Sequence, residues 1–127
     1  MRVLVCGSRT FEDLDMVYAV LDGIARSYPD MIVIHGAARG ADRIAQMWTE
    51  DRGHTEEPYH AEWHKHGNAA GPIRNQRMLH KGKPDRALAF VDKPLPESRG
   101  TNDMVTRARK ARVPVYVIER LADGGEQ

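Results

Sequence analysis

The chain lacks a disulfide framework, a long apolar run and an excess of charge of either sign. It has one cysteine, Cys6, in 127 residues, so no bridge can form within the chain and a reducing compartment is the expected setting. Cys6 sits in an apolar run and reads as a small buried hydrophobe. No stretch approaches the ~18 apolar residues of a membrane helix. The apolar start, Met1 to Val5, is shorter than the roughly 7–15 residues of a signal-peptide core. No membrane association and a cytoplasmic location are therefore expected. Nineteen basic residues face 18 acidic ones, a formal charge of +1. A dedicated nucleic-acid binder usually carries a large basic excess, so nucleic acid is not the expected partner. No internal repeat, linker or low-complexity segment interrupts the chain. One domain is expected, large enough to bury a core without metals or disulfides.

What is present is an alternation of short apolar runs and amphipathic stretches. Val3–Cys6, Met31–Ile34, Arg86–Val91 and Val113–Ile118 read as buried strands. A further short strand is expected around Pro58–His60. Helices are predicted over Asp13–Arg26, from Ala41 or Asp42 to Asp51, over Ile73–Lys81 and over Thr101–Arg112. Gly53 and Gly82 are stop signals. Gly71-Pro72 places a proline at a first helical turn. His64–Ala70 and Lys93–Arg99 read as loops. The pattern predicts an α/β, Rossmann-like three-layer fold with a mostly parallel sheet. The folded domain is expected over 1–120, with a polar, flexible tail over 121–127.

In such sheets, ligands sit at the carboxyl ends of the strands, and the informative loops follow the strands here. Gly7-Ser8-Arg9-Thr10-Phe11 offers hydroxyls and a guanidinium suited to phosphate, or is a plain turn with local caps. Gly36-Ala37-Ala38-Arg39-Gly40-Ala41-Asp42 opens a helix, where free amides and the helix dipole attract anions. It matches neither GxGxxG nor the P-loop pattern. Asp42 also reads as a first-turn acid. The third loop runs from Ala69 and puts Gly71, Arg74 and Asn75 at a helix start. The dipole disfavours a cation there, so Arg74 points to an anionic partner, either a ligand or a carboxylate, or else is a solvated arginine. In the fourth, Ser98–Asp103, Gly100 and Thr101 begin a helix. Thr101 could cap that helix or hold a phosphate.

These strings carry a resemblance. Gly-Ser-Arg-x-Phe, Ile-His-Gly-Ala-x-x-Gly-Ala-Asp, Trp63 ahead of Gly67, Ala-Gly-Pro-Ile-Arg-Asn-x-x-Met and Gly100-Thr101 together resemble the YspA-related branch of the SLOG superfamily. The resemblance runs from Val3 to Ile118. It implies a nucleotide-type ligand of the ADP-ribose, NAD or nucleoside phosphate kind. It also implies distant kinship with the LOG phosphoribohydrolases and with DprA, and self-association as a homodimer. The LOG motif Arg-Lys-x-x-Met corresponds to Arg74–Met78. The LOG motif Pro-Gly-Gly-x-Gly-Thr-x-x-Glu is eroded, with Met104 where the glutamate stands. N-glycosidic cleavage commonly uses a carboxylate, and Asp13, Asp42, Glu62 and Asp103 are the substitutes to weigh.

The expected binding set is therefore Gly7, Ser8, Arg9, His35, Gly36, Ala37, Gly40, Asp42, Trp63, Gly71, Arg74, Asn75, Gly100 and Thr101. Phosphate is expected on the Gly36–Asp42 and Gly100–Thr101 turns, neutralised by Arg74. The catalytic candidates are Arg74 and Asp103. His35 could contact ligand or be a hydrogen-bonded strand-end histidine. Trp63 could stack on a base or pack against Phe90 or the sheet. His60, His64 and His66 lack the partner set of a zinc site; no metal and no cofactor is expected. Two functions follow: a nucleotide or nucleotide-sugar binder, and an N-glycosidase acting on a nucleoside monophosphate.

Overall fold

A computed structural model describes residues 1–121. Five strands form one sheet: β1 (Arg2–Gly7), β2 (Ile32–His35), β3 (Thr55–Pro58), β4 (Arg86–Val91) and β5 (Val115–Glu119). Their spatial order is β3-β2-β1-β4-β5, and every neighbouring pair is parallel. The tail expected over 121–127 lies, apart from Leu121, outside the described residues.

The period-two geometry of a strand splits β1 between two cores. Val3 and Val5 point to one face, where they meet Val17 and Leu21 of helix α1 (Leu14–Ser27) and Trp48 of helix α2 (Ala41–Arg52). Leu4 and Cys6 point to the other. There they meet Met78 of helix α4 (Ala70–Gly82) and Met104 of helix α5 (Arg99–Lys110). Helices thus cover both faces of the sheet, which completes the three-layer α/β fold. Each fully buried aliphatic side chain contributes about 1.5–3 kcal/mol relative to an exposed one. Trp48 closes the α1–α2 side and satisfies its indole N–H on Asp22 at 2.8 Å.

Several boundaries differ from the sequence expectation. Helix α1 begins one residue later, because Asp13 is its cap and accepts the Met16 amide at 3.0 Å. Strand β3 lies earlier, at Thr55–Pro58. The expected loop His64–Ala70 instead holds a one-turn helix, α3 (Trp63–His66), followed by a 3₁₀ turn at Gly67–Ala69. Helix α4 starts at Ala70, so Pro72 is its third residue. Proline is tolerated there because first-turn amides have no intrahelical acceptor. Arg74 is consequently in the second turn and not, as expected, in the first, where the helix dipole would oppose a cation. Helix α5 starts at Arg99, which places Gly100 inside the helix, and the Lys93–Arg99 loop contains a 3₁₀ turn at Leu95–Glu97. Pro114 keeps β5 from starting at Val113, since it has no N–H for a ladder bond.

Candidate functional site

From β1 the chain crosses to β2 on one side, and later to β4 on the other. The loops after β1 and β4 therefore diverge at their carboxyl ends and leave a crevice between them. A cleft of about 340 Å³ opens there, lined by Ser8, Arg9, Arg74, Asn75, Lys93 and Thr101 among others. Its size falls in the range of small-molecule sites.

The loops are locked together at close quarters. The Ser8 amide donates to the Phe90 carbonyl at 2.9 Å, and a Cβ on Gly7 would stand 2.2 Å from that oxygen. Gly40 has φ +74° and ψ −129°, a region open essentially to glycine. A Cβ there would meet the Ser8 carbonyl at 2.1 Å. Both glycines thus let backbone pack on backbone. Across the cleft, the buried hydroxyls of Ser8 and Ser98 share a hydrogen bond of 2.9 Å. The Asp92 amide donates to Ser8 Oγ at 3.3 Å.

The Gly36 turn is already occupied. Asp42 Oδ2 accepts the Gly36 amide at 2.8 Å and the Ala38 amide at 3.4 Å. The Ala37 amide donates to His35 Nδ1 at 3.0 Å. The expected phosphate seat on these three amides is therefore filled from within the chain. Burial pushes the Asp42 carboxyl above its ordinary value, against the opposing pull of His35, Arg74 and the two amides. Burial likewise pushes the Cys6 thiol up, which leaves the cleft floor without a ready thiolate.

Arg74 reaches across from α4. Its Nη1 donates to the Gly36 carbonyl at 2.6 Å and its Nε to Asn75 Oδ1 at 2.9 Å. Burial lowers its pKa from the usual guanidinium value, with Arg9 adding to the effect. Arginine stays charged regardless. Asn75 is buried and spans α4 and α5, donating to the Gly100 carbonyl at 3.2 Å and to Asp103 Oδ2 at 3.0 Å.

The cleft brings together Gly7, Ser8, Arg9, Gly36, Asp42, Arg74, Asn75, Gly100 and Thr101. Ala37 and Trp63 lie in an adjoining lobe of about 380 Å³, which shares Arg9, Gly36, Ala38 and Arg74 with the cleft. Gly71 lies beneath the Trp63 ring: a Cβ there would be 3.6 Å from Cη2. Trp63 does not pack on Phe90, whose ring meets Phe11 at 5.7 Å.

Gly40, Gly71, His35 and Asp103 line neither the cleft nor the lobe. His35 is 1% exposed. Its Nδ1 accepts an amide, so the ring proton is on Nε2 and donates to Glu56 at 2.7 Å. Both nitrogens are engaged, as in a hydrogen-bonded strand-end histidine. Asp103 is held by Asn75 and by Arg107 at 2.9 Å and lies outside the cleft lining, whereas Met104 is buried in the core. Of the other acids weighed, Asp13 caps α1 and pairs with Arg120 at 2.9 Å, and Glu62 precedes α3. Lys93, Glu97 and Arg99 line the cleft but are absent from the sequence-derived set. Their signal was their place in the loop after β4, on the same crevice.

No solved structure matches the chain. The "Gene 61 protein" of Mycobacterium phage D29 is 42% identical over 120 residues, covering 90% of this chain and 93% of the relative. The family model described as "YspA, cpYpsA-related SLOG family" matches residues 1–66. That span carries the Ser8–Arg9 loop, the Gly36–Asp42 turn and Trp63, while Arg74 and Thr101 reach the same cleft from beyond it. On the family match and the near full-length relative together, the chain belongs to the YspA, cpYpsA-related SLOG family.

Proposed function

We propose that the cleft binds a nucleotide or nucleotide-sugar, of the nucleoside phosphate or ADP-ribose type, through its phosphate. The observation that carries this reading is the gathering of Arg9, Arg74, Lys93 and Arg99 around one crevice at the switch point. Among the described residues, none of these four has a carboxylate partner within ion-pair distance. Unpaired cations around hydroxyl groups suit a phosphate. Membership of the SLOG family supports the choice of a nucleotide-type ligand.

Because Asp42 fills the Gly36 turn, the phosphate belongs on the α5 side. Helix α5 has no side-chain cap, so its first amides are open to an anion. Thr101 is 4% exposed, lines the cleft and adds a hydroxyl. Calorimetry across nucleoside mono- and diphosphates, ADP-ribose and NAD tests the reading. Saturable binding by at least one, weakened in Arg74→Ala, is the expected result. Absence of binding across the panel overturns it.

A second reading, N-glycosidic hydrolysis of a nucleoside monophosphate, is favoured by one observation. Glu97, exposed on the 3₁₀ turn, brings a carboxylate to the cleft edge despite the loss of an acid at Met104. Such a group could stabilise positive charge on the ribose or activate water. Release of free base from the same panel tests it.

A further inference from the structure

We infer that the lobe beside the phosphate cleft is a nucleobase subsite, with Trp63 as its stacking platform and Arg9 as the group that covers the platform until ligand arrives. The inference rests on the reading of the cleft as a phosphate site, and adds where the rest of the ligand goes.

Trp63 is 48% exposed, an unusual cost for the largest aromatic side chain in water. It stands on a one-turn helix with its six-membered ring edge over Gly71 at the start of α4. The lobe is also lined by the Gly36–Arg39 turn and by His60. The Arg9 guanidinium lies over the indole, 5.8 Å from the ring centroid, within cation–π range. A guanidinium is flat, like a base, and holds the ring face that a base would use.

Arg9 and Arg74 line both the lobe and the cleft. They therefore mark the boundary between them, where the sugar–phosphate part of a nucleotide would pass. A base entering the lobe takes the indole face from Arg9. The freed guanidinium then has a phosphate within its own cleft to bind. The exchange replaces one stacked contact by another and adds a charge-assisted pair. A phosphate without a base draws on the cleft alone and leaves Trp63 covered by Arg9. The site should thus select ligands that carry both an anion and a flat aromatic group.

The test compares AMP, GMP, CMP and UMP with ribose 5-phosphate, which has the phosphate and sugar but no base. Binding is measured by calorimetry, and Trp63 by acrylamide quenching of fluorescence. Trp48 is 0% exposed, so the quenchable emission belongs to Trp63. At least one nucleotide should bind about fivefold to a hundredfold tighter than ribose 5-phosphate, the range that base–aromatic stacking supplies. That nucleotide should shield Trp63 from acrylamide, and ribose 5-phosphate should not. Trp63→Ala should bring the nucleotide down to the affinity of ribose 5-phosphate and leave ribose 5-phosphate unaffected. Trp63→Phe should retain part of the preference. Arg9→Ala should raise Trp63 quenching in the free protein and weaken both ligands. Equal binding of nucleotides and ribose 5-phosphate, or an equal loss of both in Trp63→Ala and Trp63→Phe, overturns the base subsite and leaves the phosphate reading standing. Failure of all five ligands overturns the subsite as drawn, and failure of nucleoside diphosphates, ADP-ribose and NAD as well overturns the phosphate reading with it.

Discussion

Asp42 Oδ2 lies 2.8 Å from the Gly36 amide it accepts, so a carboxylate of the chain itself occupies the turn where an external anion was expected. The same oxygen reaches the Ala38 amide. A helix-opening acid six residues after a glycine can fold back onto the turn that precedes it. The sequence pattern of a small-residue turn before a helix is the same whether the anion comes from a ligand or from the chain.

That pairing predicts a signature in stability against pH. Burial raises the folded-state pKa of Asp42 above the ordinary carboxylate value of 3.8. The folded protein then holds a proton that the unfolded chain has lost, so this group's contribution to stability falls as pH rises above that value. Asp22 and Glu57 have lowered values and act in the opposite sense, so the wild-type curve alone mixes these effects. The difference between wild type and Asp42→Asn isolates Asp42. Urea denaturation at intervals from pH 4 to 7 should show wild type losing stability relative to Asp42→Asn as pH rises. Asp42→Ala should lower stability throughout, by about 1–3 kcal/mol for the amides left without their acceptor. A difference curve that stays flat would show that the buried carboxyl is not shifted.

Glycine substitutions separate packing from ligand approach. A Cβ on Gly40 would strike the Ser8 carbonyl from a backbone conformation that only glycine adopts comfortably. Gly40→Ala should destabilise by about 3 kcal/mol or more. Gly23, inside α1, has open space around its missing side chain. Gly23→Ala should stabilise by about 0.5–1 kcal/mol, the ordinary helix preference for alanine. Thermal unfolding of the two variants should move in opposite directions.

Gly100 provides the complementary case. It lies in the first turn of α5, lines the cleft, and has no atom within 4 Å of a would-be Cβ. Gly100→Ala should therefore leave stability unchanged or slightly raised, while a methyl at the proposed phosphate seat weakens nucleotide binding. Arg74→Ala should weaken binding by about tenfold to a hundredfold, the worth of a hydrogen bond to a charged group. It should also cost some stability, since the Gly36 carbonyl loses its donor. Calorimetry beside thermal unfolding distinguishes these patterns. Unchanged affinity in both variants would move the phosphate away from α5 and Arg74.

The fold was legible in the sequence wherever apolar periodicity was strong. Val3–Cys6 and Ala87–Val91 lie in central strands buried on both faces, and they read as unbroken apolar runs for that reason. The edge strand β3, Thr-Glu-Glu-Pro, carries no such run, and its position was misjudged by three residues. The helix start at Ala70 was hidden by Gly71-Pro72, which punctuates a loop as readily as a first turn. At the site, the strand-end loops announced themselves by glycine and arginine. Lys93 and Glu97 did not, because an exposed charge beside two prolines looks the same on a cleft edge as on any solvated loop. For His35 the sequence left two readings open, ligand contact or a hydrogen-bonded strand-end histidine, because its partner Glu56 is adjacent only through the parallel pairing of β2 with β3.

The position of the acids yields the last prediction. Asp103 is one residue before Met104, the position that the LOG motif gives to a glutamate, and it is turned onto Asn75 and Arg107. Asp103→Asn should loosen Asn75 and lower stability modestly, by about 0.5–1.5 kcal/mol for a lost hydrogen bond, without abolishing any base release. Glu97 carries the exposed carboxylate at the cleft edge. If the protein hydrolyses a nucleoside monophosphate, Glu97→Gln should reduce the rate by about a hundredfold or more, the usual contribution of a positioned acid or base, with ligand affinity little changed. Chromatographic detection of free base from the wild type, Glu97→Gln and Asp103→Asn decides the matter. Hydrolysis that survives Glu97→Gln but not Asp103→Asn would mean that α5 turns on ligand binding and brings Asp103 into the cleft.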